Sequence, residues 1–320
     1  MQERIIEFLK QAEGYISGEE ISQRLNMSRA AIWKHMQELR AQGYDIAAVP
    51  HLGYQLVASP DKLIAREIQF GLNTKIIGQQ VIALETVSST MDEAFRLGME
   101  GRPEGTIVCA ETQSKGRGRL GRAWVSPKGK GIYFSVILRP RLPPSQLPQL
   151  TLMSAVAIAE AVSETAGIDA RIKWPNDILV GDKKLAGILT ELRAEVDQVK
   201  FIVIGVGLNV NTAAHQLIEG ATSLKIASGK TLNRVEVLQA ILCSLEKWYT
   251  KLCSGHADEV MGAWKARSAT LKNRVRVTDP TGITEGMAVD LDSDGALLIR
   301  KDNGVMVRKT AGDVHVFLSR

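Results

Sequence analysis

The 320-residue sequence predicts a multidomain α+β protein: an N-terminal winged helix-turn-helix, a central α/β domain and a small C-terminal β-barrel. Three observations carry this. Residues 1–42 repeat apolar side chains at helical spacing, residues 80–210 mix strand-like runs with an alanine-rich helix, and the last fifty residues are short strands parted by Asp/Gly turns. Domain bounds at 1–60, 61–270 and 271–320 follow. With 45% hydrophobic and 23% charged residues, disordered and collagen-like architectures are excluded. The longest apolar stretch, residues 201–210, is about half of what a membrane span requires. The opening Met1-Gln-Glu-Arg is charged and amphipathic, unlike a signal peptide. Cys109, Cys243 and Cys253 lack metal-type or CxxC spacing, and each is expected to be a buried small hydrophobe. A cytoplasmic protein with no membrane partner is expected.

In the first domain, Ile5, Ile6 and Leu9 mark one helix, residues 19–25 a second, and Ser28 caps a third running to about Gln42. Ile21 with Leu25, and Ile32 with Met36 and Leu39, share faces, and the tight Asn26-Met27 turn between the last two helices is a helix-turn-helix pattern. Two short strands around a Pro/Gly turn at 44–56 supply a wing. The third helix is expected to offer Ser28, Arg29, Lys34, His35 and Arg40 to DNA, with Trp33 and Met36 in the core. Residues 1–58 carry six basic and seven acidic side chains, so a helical interaction module remains the other reading.

Ser59-Pro60-Asp61 has the cap, N1 proline and first-turn acid of a new helix and places the first linker. A strand over 80–87 leads into Ser88-Ser89-Thr90 and a helix from Met91 to about Gly98. Thr90 and Glu93 fit a capping box, while the same helix start suits a polar ligand; both readings stay open. Residues 150–166 form a helix, and strands from Arg171, Lys184 and Lys200 form an antiparallel meander, with Gly181-Asp182 turning its first hairpin. Helices follow at about 234–252 and 256–268, then the strands of the barrel.

Charge concentrates in one place. Residues 111–130 hold Lys115, Arg117, Arg119, Arg122, Lys128 and Lys130 against Glu111 alone, a local +5 equal to the excess of the whole chain. With four glycines interleaved, this favours a phosphate-bearing small molecule over a nucleic-acid surface. Gly116-Arg-Gly-Arg-Leu-Gly121 matches GxGxxG literally. A dinucleotide fold is nevertheless rejected, because no helix can follow through Pro127 and no acid occurs before Glu160. What remains is a glycine loop with three arginines, able to close over phosphate. Lys173, Asn176 and Asp177 precede a hairpin whose return strand begins at Lys184, so these groups converge.

Taken together, Ser88-Ser-Thr90, Gly116-Arg-Gly-Arg-Leu-Gly-Arg122, Lys173-Trp-Pro-Asn-Asp177, Lys184-Leu-Ala-Gly-Ile-Leu189 and Gly205-Val-Gly-Leu-Asn209 closely resemble the bifunctional biotin protein ligase and biotin-operon repressor family. The resemblance covers nearly the whole chain. It implies a catalytic domain related to class II aminoacyl-tRNA synthetases and an SH3-like C-terminal barrel. It further implies that Ser89, Thr90 and Gln113 hold the ureido head of biotin, and that Arg117, Gly118 and Arg119 cover the carboxylate and α-phosphate of biotinyl-AMP. Lys184 would contact the carboxylate and phosphoryl group, Trp124 would stack near adenine, and Asn176 with Asp177 would order the site and its magnesium. Position 91 departs from the pattern: Met91 stands where a polar Asn or Gln is expected. The implied activity is ATP-dependent, Mg2+-assisted biotin ligation to a biotin carboxyl carrier protein, joined to operator binding as a ligand-induced homodimer. A ligand-sensing regulator without ligase activity and a lipoate-type ligase are the alternatives.

Overall fold

Apolar side chains three and four apart roll the first segment into α1 (Gln2–Gln11), α2 (Gly18–Leu25) and α3 (Arg29–Ala41). Ser17 Oγ caps α2 through the Glu20 amide, and Ser28 Oγ caps α3 through the Ala31 amide. Asn26, at φ 53°, takes the left-handed turn between them. Ile5, Ile21, Ile32, Met36 and Leu39 form the core, joined by Tyr44 and Ile46. The wing is an antiparallel pair, β1 (Asp45–Val49) and β2 (Gly53–Ala58). Trp33 corrects the expectation. One step round α3 from Ile32, it stands 58% exposed, while Met36 is buried as expected.

The computed structural model describes residues 1–195 and 198–317. The chain divides into two compact units, Met1–Lys62 and Leu63–Arg320. No helix starts at Ser59; residues 62–64 are irregular, and α4 (Ala65–Gln69) begins later without a side-chain cap. The local cap signal loses to a distant anchor, because the Leu63 amide donates to Glu111 Oε1 at 2.7 Å. Glu111 is itself paired with Arg234 at 2.7 Å, both nearly inaccessible, and Arg234 Nη1 also donates to the Gly131 carbonyl.

In the second unit β3 (Val81–Val87), α5 (Thr90–Met99), β4 (Ile107–Gln113) and β5 (Gly131–Leu138) are followed by α6 (Pro148–Ala166). Then come β6 (Ala170–Lys173), β7 (Asp177–Val180), β8 (Lys183–Glu195) and β9 (Gln198–Asn209), the expected meander. The seven strands order as β3-β4-β5-β9-β8-β7-β6, with only β3 and β4 parallel. Strand alternation sends Cys109, Phe134 and Ile204 to one face and Val108, Ile137 and Val203 to the other. The second face is covered by α5 through Met91, Ala94 and Leu97. The first is covered by α6, on which α8 (Arg234–Cys253) and α9 (Ala257–Ala266) pack; α7 (Leu224–Ser228) is a short connector before them.

The C-terminal segment is a five-stranded antiparallel sheet of β10 (Arg274–Asp279), β11 (Gly282–Leu291), β12 (Leu297–Arg300), β13 (Met306–Lys309) and β14 (Asp313–Phe317), ordered β13-β12-β11-β10-β14. It docks against the start of α6 and the turn between β6 and β7. Trp174 Nε1 donates to the Gly295 carbonyl at 3.0 Å, and Gln149 Nε2 to the Ser293 carbonyl at 2.6 Å. Cys109 is buried as expected, but Cys243 is only half-buried and Cys253 is exposed, at the end of α8 where its helix leaves the core. Among the described residues, no helix is long and apolar enough to cross a membrane.

Candidate active site

The site begins with missing side chains. Register pairs Gly187 of β8 with Gly207 of β9, and Leu189 with Gly205. A Cβ on Gly207 would stand 2.3 Å from Trp124 Cε2, and one on Gly205 would stand 2.4 Å from Met91 Sδ. Neither glycine is left-handed, so space and not backbone conformation demands them. Over this bare backbone lies a cavity of about 300 Å³. Ser89, Thr90, Met91, Gln113, Arg117, Gly118, Arg119, Trp124, Asn176, Asp177 and Lys184, the eleven residues singled out from sequence, all line it.

One end is polar and uncharged, at the start of α5. The capping box does not form there: Ser89 is the N-cap residue and makes no side-chain cap bond. Thr90 turns to the sheet instead, its amide donating to Gln113 Oε1 at 2.9 Å and its hydroxyl accepting from Ser135 at 2.9 Å. Glu93 pairs with Arg96. Gln113 Nε2 donates to Ser126 Oγ at 3.1 Å, which fixes the orientation of its amide. Ser89 is fully buried, yet its hydroxyl meets no partner among the described residues. A buried orphan hydroxyl costs roughly 1–3 kcal/mol, which a ligand's polar atom would return. Met91 is buried on the inner face of α5, so its thioether contributes apolar wall where a polar side chain was expected.

The other end is cationic. Lys184 Nζ lies 2.7 Å from Asp177 Oδ1 and 5.6 Å from the Trp124 ring centroid. Arg119 Nη1 donates to Asn176 Oδ1 at 3.1 Å and to the Gly312 carbonyl at 3.3 Å. Burial pulls the Arg119 guanidinium below its ordinary range, against the opposing pull of Asp313 and Asp177. Asn176 Nδ2 donates to the Ile188 carbonyl at 2.7 Å, so this side chain braces the loop against β8. Arg117 reaches Asp92 at 2.5 Å and Glu191 at 3.2 Å, and Arg122 pairs with Asp313. The glycine loop turns through one short 3-10 segment at Arg119–Gly121 and opens no helix, consistent with rejecting a dinucleotide fold.

Sequence reasoning missed Ser135, Ser126 and Asp313. Ser135 was detectable as the lone serine within the apolar run 132–138, whereas Asp313 carries no local signal at all. In the first unit, Arg29 and Lys34 are exposed on α3. Ser28 spends its hydroxyl as a cap, His35 Nδ1 meets Glu38 at 3.0 Å, and Arg40 donates twice to the Ile46 carbonyl. Each of these three thus has a partner within the unit, and Ser28 remains exposed at the helix start.

Residues 83–209 match the Biotin/lipoate A/B protein ligase family, residues 1–55 an HTH domain, and residues 271–316 the Biotin protein ligase C terminal domain. The chain is 41% identical over 310 residues to the bifunctional ligase/repressor BirA of Bacillus subtilis, covering 95% of each. It is 31% identical over 315 residues to the Escherichia coli protein of the same name, covering 97% of this chain and 95% of that one. Among solved structures, biotin protein ligase from Aquifex aeolicus in complex with biotin and ATP superposes with a TM-score of 0.66 at 31% identity, over 75% of this chain and 100% of that chain.

Proposed function

The chain belongs to the bifunctional biotin ligase/repressor family, and from that premise we propose how its own residues activate biotin, transfer it and couple it to DNA binding. The protein is a biotin protein ligase and a repressor. The observation that carries the site reading is the orphan Ser89 hydroxyl at one end of a cavity whose other end holds Lys184 and Arg119. A ligand with an uncharged polar head, an apolar stem and an anionic tail fits that order.

In the first step a biotin carboxylate oxygen attacks the α-phosphorus of ATP, the bond to the β-phosphate oxygen breaks, and pyrophosphate leaves. Lys184 and Arg119 hold the charge that grows on the α-phosphoryl oxygens, and Trp124 supplies a flat apolar face for adenine. In the second step a carrier-protein lysine amine attacks the biotinyl carbonyl, AMP leaves, and the amine loses its proton. Closure of the basic loop keeps water from the mixed anhydride. Among the described residues, no group of three or more His, Cys, Asp or Glu side chains is placed to hold a metal ion. Magnesium therefore fits as the nucleotide's own counter-ion, with Asp177 the carboxylate at hand, and not as a resident metal. We assign domains at 1–60, 61–270 and 271–320, with the last an SH3-like barrel, and place the protein in the cytoplasm.

Biotin-dependent ATP–pyrophosphate exchange tests the ligase. Its absence would leave a ligand-sensing regulator; lipoate outcompeting biotin would make the site a lipoate-type ligase. Arg119→Gly is expected to release biotinyl-AMP faster and to modify lysines without selection, because it removes the tie to Asn176 and Gly312. An intermediate held as long as in the parent protein would deny the loop its role as a lid.

The winged-helix unit has no net positive charge, so one copy binds DNA weakly. Two copies on a two-fold operator add their contributions. Ordering of the glycine loop on biotinyl-AMP completes a surface for a second copy, and operator affinity should rise roughly 5–150-fold with ligand. Operator titration and sedimentation with and without biotin and ATP check this. Equal affinity with a monomer throughout would remove the coupling.

A further inference from the structure

One face of α3 is left bare around a single exposed indole. Arg29, Ala30, Trp33, Lys34 and Gln37 fall within an arc of about 140° at 100° per residue. Ile32, Met36 and Leu39 take the opposite side and are fully buried. The one carboxylate beside this face is Glu38, one turn on from Lys34 and near enough to feel its charge, and its side chain is held by Gln2 and His35. His35 and Arg40 make their hydrogen bonds within the unit. Trp33 is the only tryptophan among residues 1–62. Its ring packs into no core, so folding does not account for it.

We propose that Trp33 reads operator sequence, laying its ring on the 5-methyl group of a thymine in the major groove while Arg29 and Lys34 hold flanking phosphates. This rests on the DNA-binding reading above and adds the residue that discriminates between sequences. The second helix of a helix-turn-helix places its first turns at base edges, and Trp33 lies in the second turn of α3. A groove about 12 Å wide admits the helix, and the thymine methyl is the apolar group its floor presents. Two cations beside an indole, with the one neighbouring carboxylate, Glu38, held by Gln2 and His35, complement a polyanion carrying apolar points better than a mixed-charge protein surface.

The test uses the full-length protein with biotin and MgATP, and duplexes that the wild type itself selects from a randomised library. Trp33→Ala should bind the selected duplex about tenfold more weakly or worse. Its thermal stability, its affinity for random-sequence duplex and its salt slope should stay unchanged, because no core contact or phosphate contact is lost. Trp33→Phe, which keeps an apolar ring, should retain most of the affinity. Lys34→Ala should weaken both duplexes alike and reduce the salt slope by about one. Thymines are then replaced one at a time by uracil. At one position the wild type should lose affinity and Trp33→Ala should lose none further. Equal binding of wild type and Trp33→Ala to the selected duplex would overturn the assignment, as would uracil losses equal in both proteins at every position. Failure of the wild type to select any duplex would overturn the DNA-binding reading and this inference with it.

Discussion

Lys184→Ala is expected to lower biotin-dependent ATP–pyrophosphate exchange roughly 100–1000-fold while the protein stays folded. A charge-assisted contact to an oxygen that gains charge in the transition state is worth about 3–4 kcal/mol. Lys184 is the second residue of β8, with its side chain about one-third exposed, so truncation opens no core cavity. Its loss also frees Asp177, whose uncompensated carboxylate would then face the α-phosphate and deepen the defect. Thermal melting and single-turnover formation of biotinyl-AMP separate the two effects. Near-normal synthesis of the intermediate would refute the role given to this lysine.

Glu111→Ala should cost about 3–5 kcal/mol of stability, because it leaves the Arg234 guanidinium buried without its counter-charge. The Leu63 amide would lose its acceptor as well. For a unit of this size that corresponds to a fall in Tm of about 10 °C. Replacing both partners with apolar side chains, as Glu111→Leu with Arg234→Met, should recover most of the loss, since no buried charge then remains. If Glu111→Ala melts within a degree or two of the parent protein, the pair does not hold β4 to α8.

What the sequence disclosed tracks how local each interaction is. The caps and core of α1 to α3 were legible because every determinant lies within a few residues of its partner: Ser28 with Ala31, Ile32 with Met36. Trp33 was misplaced because an apolar residue next to a core position looks like core until the helix phase is set by its neighbours. The signals at Ser59-Pro60-Asp61 and at Thr90 with Glu93 were real, but were overruled from a distance. Glu111 captures the Leu63 amide from 48 residues away, and Ser135 captures the Thr90 hydroxyl from 45 residues away. The cavity residues were legible as a group because charge and glycine are concentrated in one segment. Asp313 and Gly312 reach the same loop from more than 190 residues away, and nothing near them in the chain announces it.

The glycine floor beneath Met91 and Trp124 also limits how this pocket can change through descent. A surface made of backbone has nothing to trim. Any amino-acid replacement at Gly187, Gly205 or Gly207 adds at least a Cβ, and at Gly205 and Gly207 that atom lands closer than 2.5 Å to the thioether or indole above. Substitution from below can therefore only narrow the cavity, with a cost of roughly 1–3 kcal/mol when the neighbour must move. Acceptance of a bulkier ligand has to come from above, where Met91 and Trp124 are side chains that can be made smaller. Selection for new substrates should accordingly leave the floor untouched and collect its changes in the roof.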